Sequence, residues 1–197
     1  MIHNFDVLID SFLENKIGID KAFLTPALST GLQANIRSLQ QAQLLNNAQI
    51  GNSDVKDEHQ KMRGDQIYWL DKSHNNIFEQ EFLSLVEAFV ACLNETCYAG
   101  ITDYEFHYAV YGKGTFYKRH KDQFRNNSQR KFSLISYLND NWQKDDGGEL
   151  LVYHSETEQR IAPRAKTAVF FKSDELEHEV ATTQVERLSI TGWLRSK

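Results

Sequence analysis

Cysteine is scarce in this sequence, and long apolar runs and an excess of positive charge are missing. The 197 residues include two cysteines, Cys92 and Cys97, and their spacing matches neither a metal-ligand pattern nor a disulfide framework, which favours a reducing cytoplasm. No stretch approaches the roughly 18 apolar residues that a membrane-spanning helix requires. The formal net charge of −5 argues against a general nucleic-acid-binding surface. The sequence therefore favours a cytoplasmic protein that binds neither membranes nor nucleic acids.

The chain begins with MIHNFDVLIDSFLENK, which has early acidic side chains and no basic segment ahead of an apolar stretch. We therefore expect no secretory signal. Hydrophobic residues make up 41% of the chain and charged residues 25%, values typical of a soluble globular protein. The length fits a single domain over residues 1–197, and 12 Phe, 8 Tyr and 3 Trp are enough for a large aromatic core.

Residues 1–100 are predicted to form mostly supporting helices. Pro26 directly follows Thr25, a pairing typical of a helix start, and between residues 77 and 93 apolar side chains recur at helical spacing. Residues 46–61 are polar with little periodicity, and the predicted loop spans about residues 46–65. A loop of this length in a compact domain is typical of a functional lid. We expect a mobile loop there, followed by a short strand around residues 67–70.

Residues 101–197 have a different pattern. Short segments rich in β-branched and aromatic residues, such as DYEFHYAVYG, RKFSLISYLN, TAVFFKS and RLSITGWLR, alternate with turn signals such as YGKG and NDNWQKDDGG. Regular short strands of this kind indicate a β-sandwich or barrel. The whole chain is therefore predicted to be an α+β protein, mainly β, with the N-terminal helices packed on a double-sheet barrel.

The segment FYKRHKDQF contains His120 and Asp122 two residues apart. On an extended strand these side chains share a face and can converge on one metal ion. The alternative is that this segment is a solvated, charged turn with no metal. His178, which opens the short strand HEV, is the candidate third ligand. Two histidines and one carboxylate would form the facial triad of a non-haem Fe(II) oxygenase.

Arg187 begins the last strand pattern, RLSITGWLR. In an alternating strand it shares a face with Ser189, Thr191 and Trp193. If that face points into the barrel, Arg187 requires an anionic partner, and a carboxylate would match its planar guanidinium. In the alternative, Arg187 faces outward and the intervening apolar residues form the core. Periodicity alone leaves both orientations open.

Several ordered motifs together resemble one protein family. The stretches YGKGTFYKRHKDQF, RKFSLISYLNDNW, DDGGELLVY, VFFKSDELEHEV and RLSITGW resemble the 2-oxoglutarate- and Fe(II)-dependent dioxygenases, in the prolyl 4-hydroxylase branch that includes the animal hypoxia-factor prolyl hydroxylases and their bacterial relatives. The resemblance covers residues 60–195 approximately. It implies a double-stranded β-helix, or jelly-roll, as the catalytic core.

The resemblance also implies roles for individual residues. His120, Asp122 and His178 would be the catalytic iron ligands. Arg187 would bind the distal carboxylate of 2-oxoglutarate, and further cosubstrate contacts would come from Tyr137, Thr191 and Tyr111. Tyr111 takes its role only if the GKG turn is one residue shorter here than in the family. Otherwise Val110 occupies that position.

Three further positions match the family on the substrate side. Arg130 matches a basic residue at the substrate entrance, Asp65 matches a loop acid that can approach it, and Trp193 matches an aromatic that lines the substrate. Simple core packing is the alternative for Trp193, and equally for Tyr137. Two other histidines have ordinary explanations: we expect His107 to be a strand histidine with a satisfied hydrogen bond, and His154 to lie at the surface.

The activity that the resemblance implies is hydroxylation of a prolyl residue in a protein or peptide substrate, with release of succinate and CO2. The implied cofactors are Fe(II), 2-oxoglutarate and O2, and ascorbate is a candidate auxiliary reductant. Alternatives are the same chemistry on another side chain or a small molecule, a non-catalytic sensor that binds metal or 2-oxoglutarate, and a zinc or nickel cupin. The substrate protein and the oligomeric state are not predicted.

Overall fold

The computed structural model describes residues 4–48, 62–123, 129–154 and 157–196. In this part of the chain three α-helices lie within the first half: α1 (Asp6–Asn15), α2 (Pro26–Gln41) and α3 (Ile77–Cys97). Thr25 caps α2, because its hydroxyl accepts the backbone N–H of Leu28 and Pro26 occupies the first turn. No helix among these residues is long and apolar enough to cross a membrane.

Eleven strands follow one another along the described residues. Their bounds are β1 (Ile17–Asp20), β2 (Asn46–Asn47), β3 (Asp65–Trp69), β4 (Asp103–Tyr111), β5 (Tyr117–His120), β6 (Arg130–Tyr137), β7 (Leu150–Tyr153), β8 (Glu158–Ile161), β9 (Ala168–Lys172), β10 (Glu177–Val180) and β11 (Arg187–Arg195).

The strands form two antiparallel sheets. The larger has the order β1-β9-β6-β11-β4-β3-β2 and the smaller the order β5-β10-β7-β8. This double-sheet arrangement is the jelly-roll that the sequence predicted. The α+β, mainly β fold class is confirmed.

The larger sheet has one face toward the helices and the other toward the smaller sheet. On β11, Leu188, Ile190 and Leu194 pack into a buried cluster with residues of all three helices. Ser189, Thr191 and Trp193 therefore face the smaller sheet, because side chains alternate along a strand. The functional site lies in the space between the two sheets.

Two details of the first hundred residues differ from or go beyond the sequence interpretation. Residues 17–20, which had no strand assigned, form β1 at the edge of the larger sheet, where Ile17 pairs with Phe171. The predicted mobile loop at 46–65 begins in β2 and ends at the start of β3, and these two short strands pair with each other. Residues 49–61 of that loop lie outside the described residues.

Candidate active site

Three potential metal ligands converge at one edge of the smaller sheet. His120 ends β5, Asp122 follows it, and His178 lies on β10 directly opposite His120 in the strand register. One ligand atom from each residue lies within 4.8 Å of the others. The antiparallel pairing of β5 with β10 thus brings together residues that are far apart in the chain.

The distances within this triad suit a shared cation. Nε2 of His120 lies 3.4 Å from Oδ1 of Asp122, and Nε2 of His178 lies 3.6 Å from Oδ2 of the same carboxylate. His178 and Asp122 are buried, and His120 is partly exposed. Both imidazoles therefore present the same nitrogen to one carboxylate.

The backbone fixes the orientation of both imidazole rings. Nδ1 of His120 lies 2.7 Å from the carbonyl oxygen of Lys118, and Nδ1 of His178 lies 3.2 Å from that of Leu176. A carbonyl oxygen only accepts, so each Nδ1 carries the proton and each Nε2 keeps a free lone pair. This is the state in which an imidazole binds a metal.

The electrostatics of the triad favour an ionised Asp122 beside an uncharged His178. Burial alone would raise the pKa of Asp122, but the neighbouring His178 and His120 and the hydrogen bond from Ser133 hold it well below its usual range. Burial lowers the pKa of His178 to about 4, against the opposing attraction of Asp122. These are the protonation states that metal binding requires.

Asp122 has a further partner that the sequence interpretation missed. The hydroxyl of Ser133, on β6, donates to Oδ2 of Asp122 at 2.6 Å and lies 2.8 Å from the hydroxyl of Ser173. Since Ser133 has one proton, Ser173 donates to Ser133. Both serines are fully buried, and this chain of hydrogen bonds fixes the orientation of the Asp122 carboxylate.

Arg187 faces the space between the sheets and is only 3% exposed. Its Nε donates to the carbonyl oxygen of Gly148 at 2.8 Å, and its Nη1 to the hydroxyl of Ser189 at 3.2 Å. Among the described residues it forms no ion pair with a carboxylate. Of the two orientations that the sequence left open, the structure adopts the inward one, and the buried guanidinium can accept an anion.

Two tyrosine rings flank Arg187. The guanidinium carbon lies 4.9 Å from the ring centroid of Tyr111 and 5.1 Å from that of Tyr137. Tyr111 pairs with Arg187 across the β4–β11 register, whereas Val110 packs in the helix-side core. Of these two residues, Tyr111 is therefore the one beside the site. The hydroxyl of Tyr137 is buried without a partner, and burial raises the pKa of both tyrosines.

The predicted substrate-side residues lie further along the same strands. The guanidinium carbon of Arg130 lies 3.4 Å from the ring centroid of Trp193, and Arg130 forms an ion pair of 2.8 Å with Glu105. Thr191 lies between Trp193 and Arg187 on the inner face of β11 and lines the same cavity. The structure therefore places both Thr191 and Trp193 at the site, and packs Arg130 against Trp193.

Asp65 has a different partner from the one the sequence suggested. It is buried and forms a bidentate pair with Arg63, at 2.7 and 2.5 Å, while Arg130 is held by Glu105 instead. The guanidinium carbon of Arg63 also lies 4.4 Å from the ring centroid of Tyr117. Tyr117 in turn stacks on the imidazole of His120, with ring centroids 3.6 Å apart. Arg63 and Tyr117 thus link β3 to the metal-ligand cluster, and neither was identified from the sequence.

Of the two histidines that were expected to have ordinary roles, His107 is the one that differs from its expected environment. His107 is buried, and its Nδ1 has no hydrogen-bond partner, so the expectation of a satisfied strand histidine is wrong for that atom. His154 is half-buried, and its Nε2 lies 3.3 Å from the side-chain oxygen of Gln159. His107 is therefore the histidine that needs a further explanation.

A single cavity joins these groups. It is lined on one side by the three potential metal ligands and on the other by Arg63 and by residues of the larger sheet, which are His107, Ala109, Tyr111, Ile135, Arg187, Thr191 and Trp193. Two imidazoles and a carboxylate with open positions are the donor set that suits a non-haem ferrous ion. A buried arginine beside an unpaired tyrosine hydroxyl suits a carboxylate. The chemistry of the residues present therefore fits Fe(II) and a 2-oxo dicarboxylic acid.

Comparisons with known proteins agree with this geometry. Residues 106–195 match the model of the 2OG-Fe(II) oxygenase superfamily. A prolyl-4-hydroxylase from Pseudomonas putida is similar in structure, with a TM-score of 0.88, and is 32% identical in sequence over 98% of this chain and 100% of the other.

Two eukaryotic structures are also similar. A prolyl hydroxylase from Trichoplax adhaerens, solved in complex with a peptide fragment of the hypoxia inducible factor oxygen degradation domain, has a TM-score of 0.86 and 25% identity over 97% of this chain and 88% of the other. A prolyl 4-hydroxylase from Phytophthora capsici has a TM-score of 0.78 and 18% identity over 96% and 61% of the two chains. At that identity the likeness extends to the fold alone.

Proposed function

The chain belongs to the 2OG-Fe(II) oxygenase superfamily, and from this premise we propose that it hydroxylates a prolyl residue in a protein or peptide, releasing succinate and CO2. The observation that carries the proposal is the 32% identity to a prolyl-4-hydroxylase over 98% of the chain. The second relative, solved with a peptide fragment, supports a polypeptide substrate. The chain is a 2-oxoglutarate-dependent dioxygenase, and the proposal concerns its target.

His120, Asp122 and His178 would hold the ferrous ion. When bound, Fe(II) together with 2-oxoglutarate and O2 supplies the oxidative decarboxylation that drives hydroxylation of a C–H bond. The protein contributes geometry: the backbone carbonyls orient each imidazole, and Ser133 orients the carboxylate. These outer contacts would hold the three ligand side chains in position to bind the ion, which would supply its chemistry to reactants in the cavity.

Arg187 would bind the distal carboxylate of 2-oxoglutarate. Its guanidinium lies buried between Tyr111 and Tyr137 without an acidic partner among the described residues. The hydroxyl of Tyr137 has no other hydrogen-bond partner and would donate to the same carboxylate. Thr191, on the same face of β11, would add a further polar contact. A cosubstrate held at both ends would be oriented before the polypeptide arrives.

Trp193 and Arg130 would form one side of the substrate entrance. Arg130 is stacked on the indole and fixed by Glu105, so the two side chains present an apolar surface next to a positive charge. Asp65 would act indirectly, because its pair with Arg63 fixes a side chain that packs on Tyr117 beside His120. In these roles Trp193 and Arg130 would guide one side chain of an extended polypeptide toward the cavity.

Two experiments test the proposal in sequence. First, Fe(II) and 2-oxoglutarate are added to the purified protein without oxygen, and the visible charge-transfer band of a chelated 2-oxo acid is recorded. We expect the band in the wild type and its loss in His178→Ala. No band from folded wild-type protein would contradict the assigned cofactors, and so would a band that responds to metal without 2-oxoglutarate, as for a cupin.

Second, a pool of synthetic peptides with a fixed central proline is incubated with the enzyme, Fe(II), 2-oxoglutarate, O2 and ascorbate. We expect one oxygen atom to be added to proline in a subset of peptides, with one succinate formed per hydroxylation, and faster loss of activity when ascorbate is omitted. Oxygen added to another residue would exclude the prolyl target. No oxygen added to any peptide, despite the charge-transfer band, would favour a small-molecule substrate or a sensor.

A further inference from the structure

His107 lies at the centre of the larger sheet, on the wall of the cavity that contains the metal ligands. In the strand register it is opposite Thr191 of β11 on one side and Trp69 of β3 on the other. Its side chain is 2% exposed and lines the cavity together with the triad and Arg187. The roles proposed above make no use of this histidine.

The Nδ1 atom of His107 has no hydrogen-bond partner. A buried polar atom without a partner costs stability, and native proteins keep few of them outside functional sites. The imidazole is uncharged, because burial, reinforced by the positive charge of Arg63, lowers its pKa to about 3. His107 therefore presents a neutral hydrogen-bonding group rather than a cation.

Trp193 provides a second unpartnered group on the adjacent ring. Its indole is stacked on His107, with ring centroids 5.5 Å apart and an interplanar angle of 27°, and its Nε1 is buried without a partner. Trp69 also packs against His107, with ring centroids 5.0 Å apart, and its indole lies 6.5 Å from that of Trp193. The histidine ring thus forms a three-ring cluster with two indoles. An indole N–H can only donate a hydrogen bond. A ligand that binds at this part of the cavity wall must therefore supply a hydrogen-bond acceptor.

An uncharged acceptor suits this part of the wall. Arg187, at one end of β11, suits a carboxylate, whereas the cations nearest His107 and Trp193 are already paired, Arg63 with Asp65 and Arg130 with Glu105. A polypeptide threaded past Trp193 offers carbonyl oxygens there. The peptide bond before a proline has no N–H, so its carbonyl oxygen is the one hydrogen-bonding group that this bond brings into a closed cavity.

We propose that His107, as the Nδ1–H tautomer, and Trp193 together bind the main-chain carbonyl oxygen that precedes the target proline. The inference rests on the proposed prolyl hydroxylation and adds a specificity-determining residue to it. His107 recognises the substrate's main chain and contacts neither the metal nor 2-oxoglutarate. The contact is independent of the substrate's side chains, so it selects an X–Pro peptide bond rather than a particular sequence.

Two substitutions of His107 separate hydrogen bonding from packing. His107→Phe keeps a flat ring against the two indoles and removes both nitrogens, and His107→Asn keeps an N–H donor near the position of Nδ1. His154→Phe is the matched control, because His154 lies outside the cavity. The charge-transfer band with Fe(II) and 2-oxoglutarate shows that each variant has folded with its metal and cosubstrate sites intact.

The measurement is KM and kcat for the peptides that the wild type hydroxylates in the proline-centred pool. We expect His107→Phe to raise KM about tenfold, the effect of one lost hydrogen bond, with a smaller change in kcat. His107→Asn should recover most of the loss, and His154→Phe should match the wild type. Equal KM values for wild type and His107→Phe would overturn the inference and leave the prolyl activity standing.

A chemical change in the peptide tests the same contact in the unaltered enzyme. Replacing the carbonyl oxygen before the target proline by sulfur, as a thioamide, weakens that acceptor. We expect a several-fold rise in KM for the wild type and a change of less than twofold for His107→Phe. Equal thioamide penalties in the two proteins would overturn the inference. If the wild type hydroxylates no proline at all, the proposed function fails first and the subsite fails with it.

Discussion

The hydroxyl of Ser133 donates a 2.6 Å hydrogen bond to Oδ2 of Asp122, the carboxylate that lies between two histidines. Oδ1 of the same carboxylate faces His120 at 3.4 Å. The serine therefore fixes the rotation of the carboxylate about its own axis and limits how the two oxygens can be shared with a metal ion. A residue on the larger sheet in this way orients a ligand supplied by the smaller sheet.

Ser133→Ala is expected to weaken metal binding without removing a ligand. Loss of an outer-shell partner of this kind typically costs about 10- to 100-fold in metal affinity. Anaerobic titration with Fe(II) measures the dissociation constant. Ser136→Ala is the matched control, because Ser136 is also buried on β6 but its hydroxyl has no partner. Equal metal affinities for the two variants would show that Ser133 has only a packing role.

Arg187→Lys is expected to weaken 2-oxoglutarate binding while preserving the positive charge. An ammonium group cannot reproduce the planar, bidentate geometry of a guanidinium, and a hydrogen bond to a charged group is worth about 1.5–3 kcal/mol. We therefore expect the dissociation constant of 2-oxoglutarate to rise about tenfold to a hundredfold, measured by calorimetry with Mn(II) in place of Fe(II). Arg195→Lys, at the other end of β11 and paired with Glu105, should bind as the wild type does. Unchanged binding by Arg187→Lys would place the anchor elsewhere.

Tyr137→Phe is expected to change cosubstrate affinity and stability in opposite directions. The hydroxyl of Tyr137 is buried without a partner, so without ligand its removal relieves a desolvation cost and should leave Tm equal or higher. With ligand, the variant lacks the donor that we assign to the distal carboxylate, and the dissociation constant of 2-oxoglutarate should rise about tenfold. Calorimetry and thermal unfolding measure the two effects. A lower Tm together with unchanged affinity would reduce Tyr137 to a core residue.

Alternation along β11 shows in the sequence that the strand has two different faces. It does not show which face points into the barrel and which packs against the helices. Arg187 and Thr191 share one face, and Leu188 and Ile190 share the other. The choice depends on where the helices pack, which is a long-range property of the fold. The helices cover the face with Leu188 and Ile190, so the arginine turns inward, and family resemblance rather than periodicity had favoured that orientation.

Ser133 and His107 could not be identified as site residues from the sequence. A serine or histidine at one position of an alternating strand looks the same whether it is a structural residue or contacts a ligand. Their roles depend on strand pairing across the sheet, such as the register that places His107 opposite Thr191. Ser133 reaches Asp122 only because the loop after β5 approaches β6. Asp65 was predicted at the site, but its partner Arg63 could not be distinguished from other nearby cations.

Gly192→Ala is expected to destabilise the fold through a close contact in the helix-side core. Gly192 on β11 faces Phe106 on β4, and an added Cβ would lie 2.2 Å from Cδ1 of Phe106 and 2.3 Å from the backbone oxygen of Glu105. Overpacking of this kind costs about 1–3 kcal/mol or more. Chemical denaturation measures the free energy of unfolding. Gly112→Ala is the matched control, because no atom lies within 4 Å of its added Cβ, and similar stabilities for the two variants would contradict the predicted clash.

His107 also makes the stability of the protein depend on pH in a predictable direction. Burial, reinforced by the positive charge of Arg63, lowers the pKa of His107 from 6.5 to about 3. Between these values the unfolded chain binds a proton that the folded chain does not, so the free energy of unfolding falls as the pH drops below about 6.5. The contribution of one such group approaches about 1.4 kcal/mol per pH unit.

Urea denaturation of the metal-free protein from about pH 7 to about pH 5 should therefore show a steeper loss of stability in the wild type than in His107→Phe. Parallel profiles would mean that His107 binds its proton equally well in the folded and unfolded protein, so that burial does not keep the imidazole uncharged.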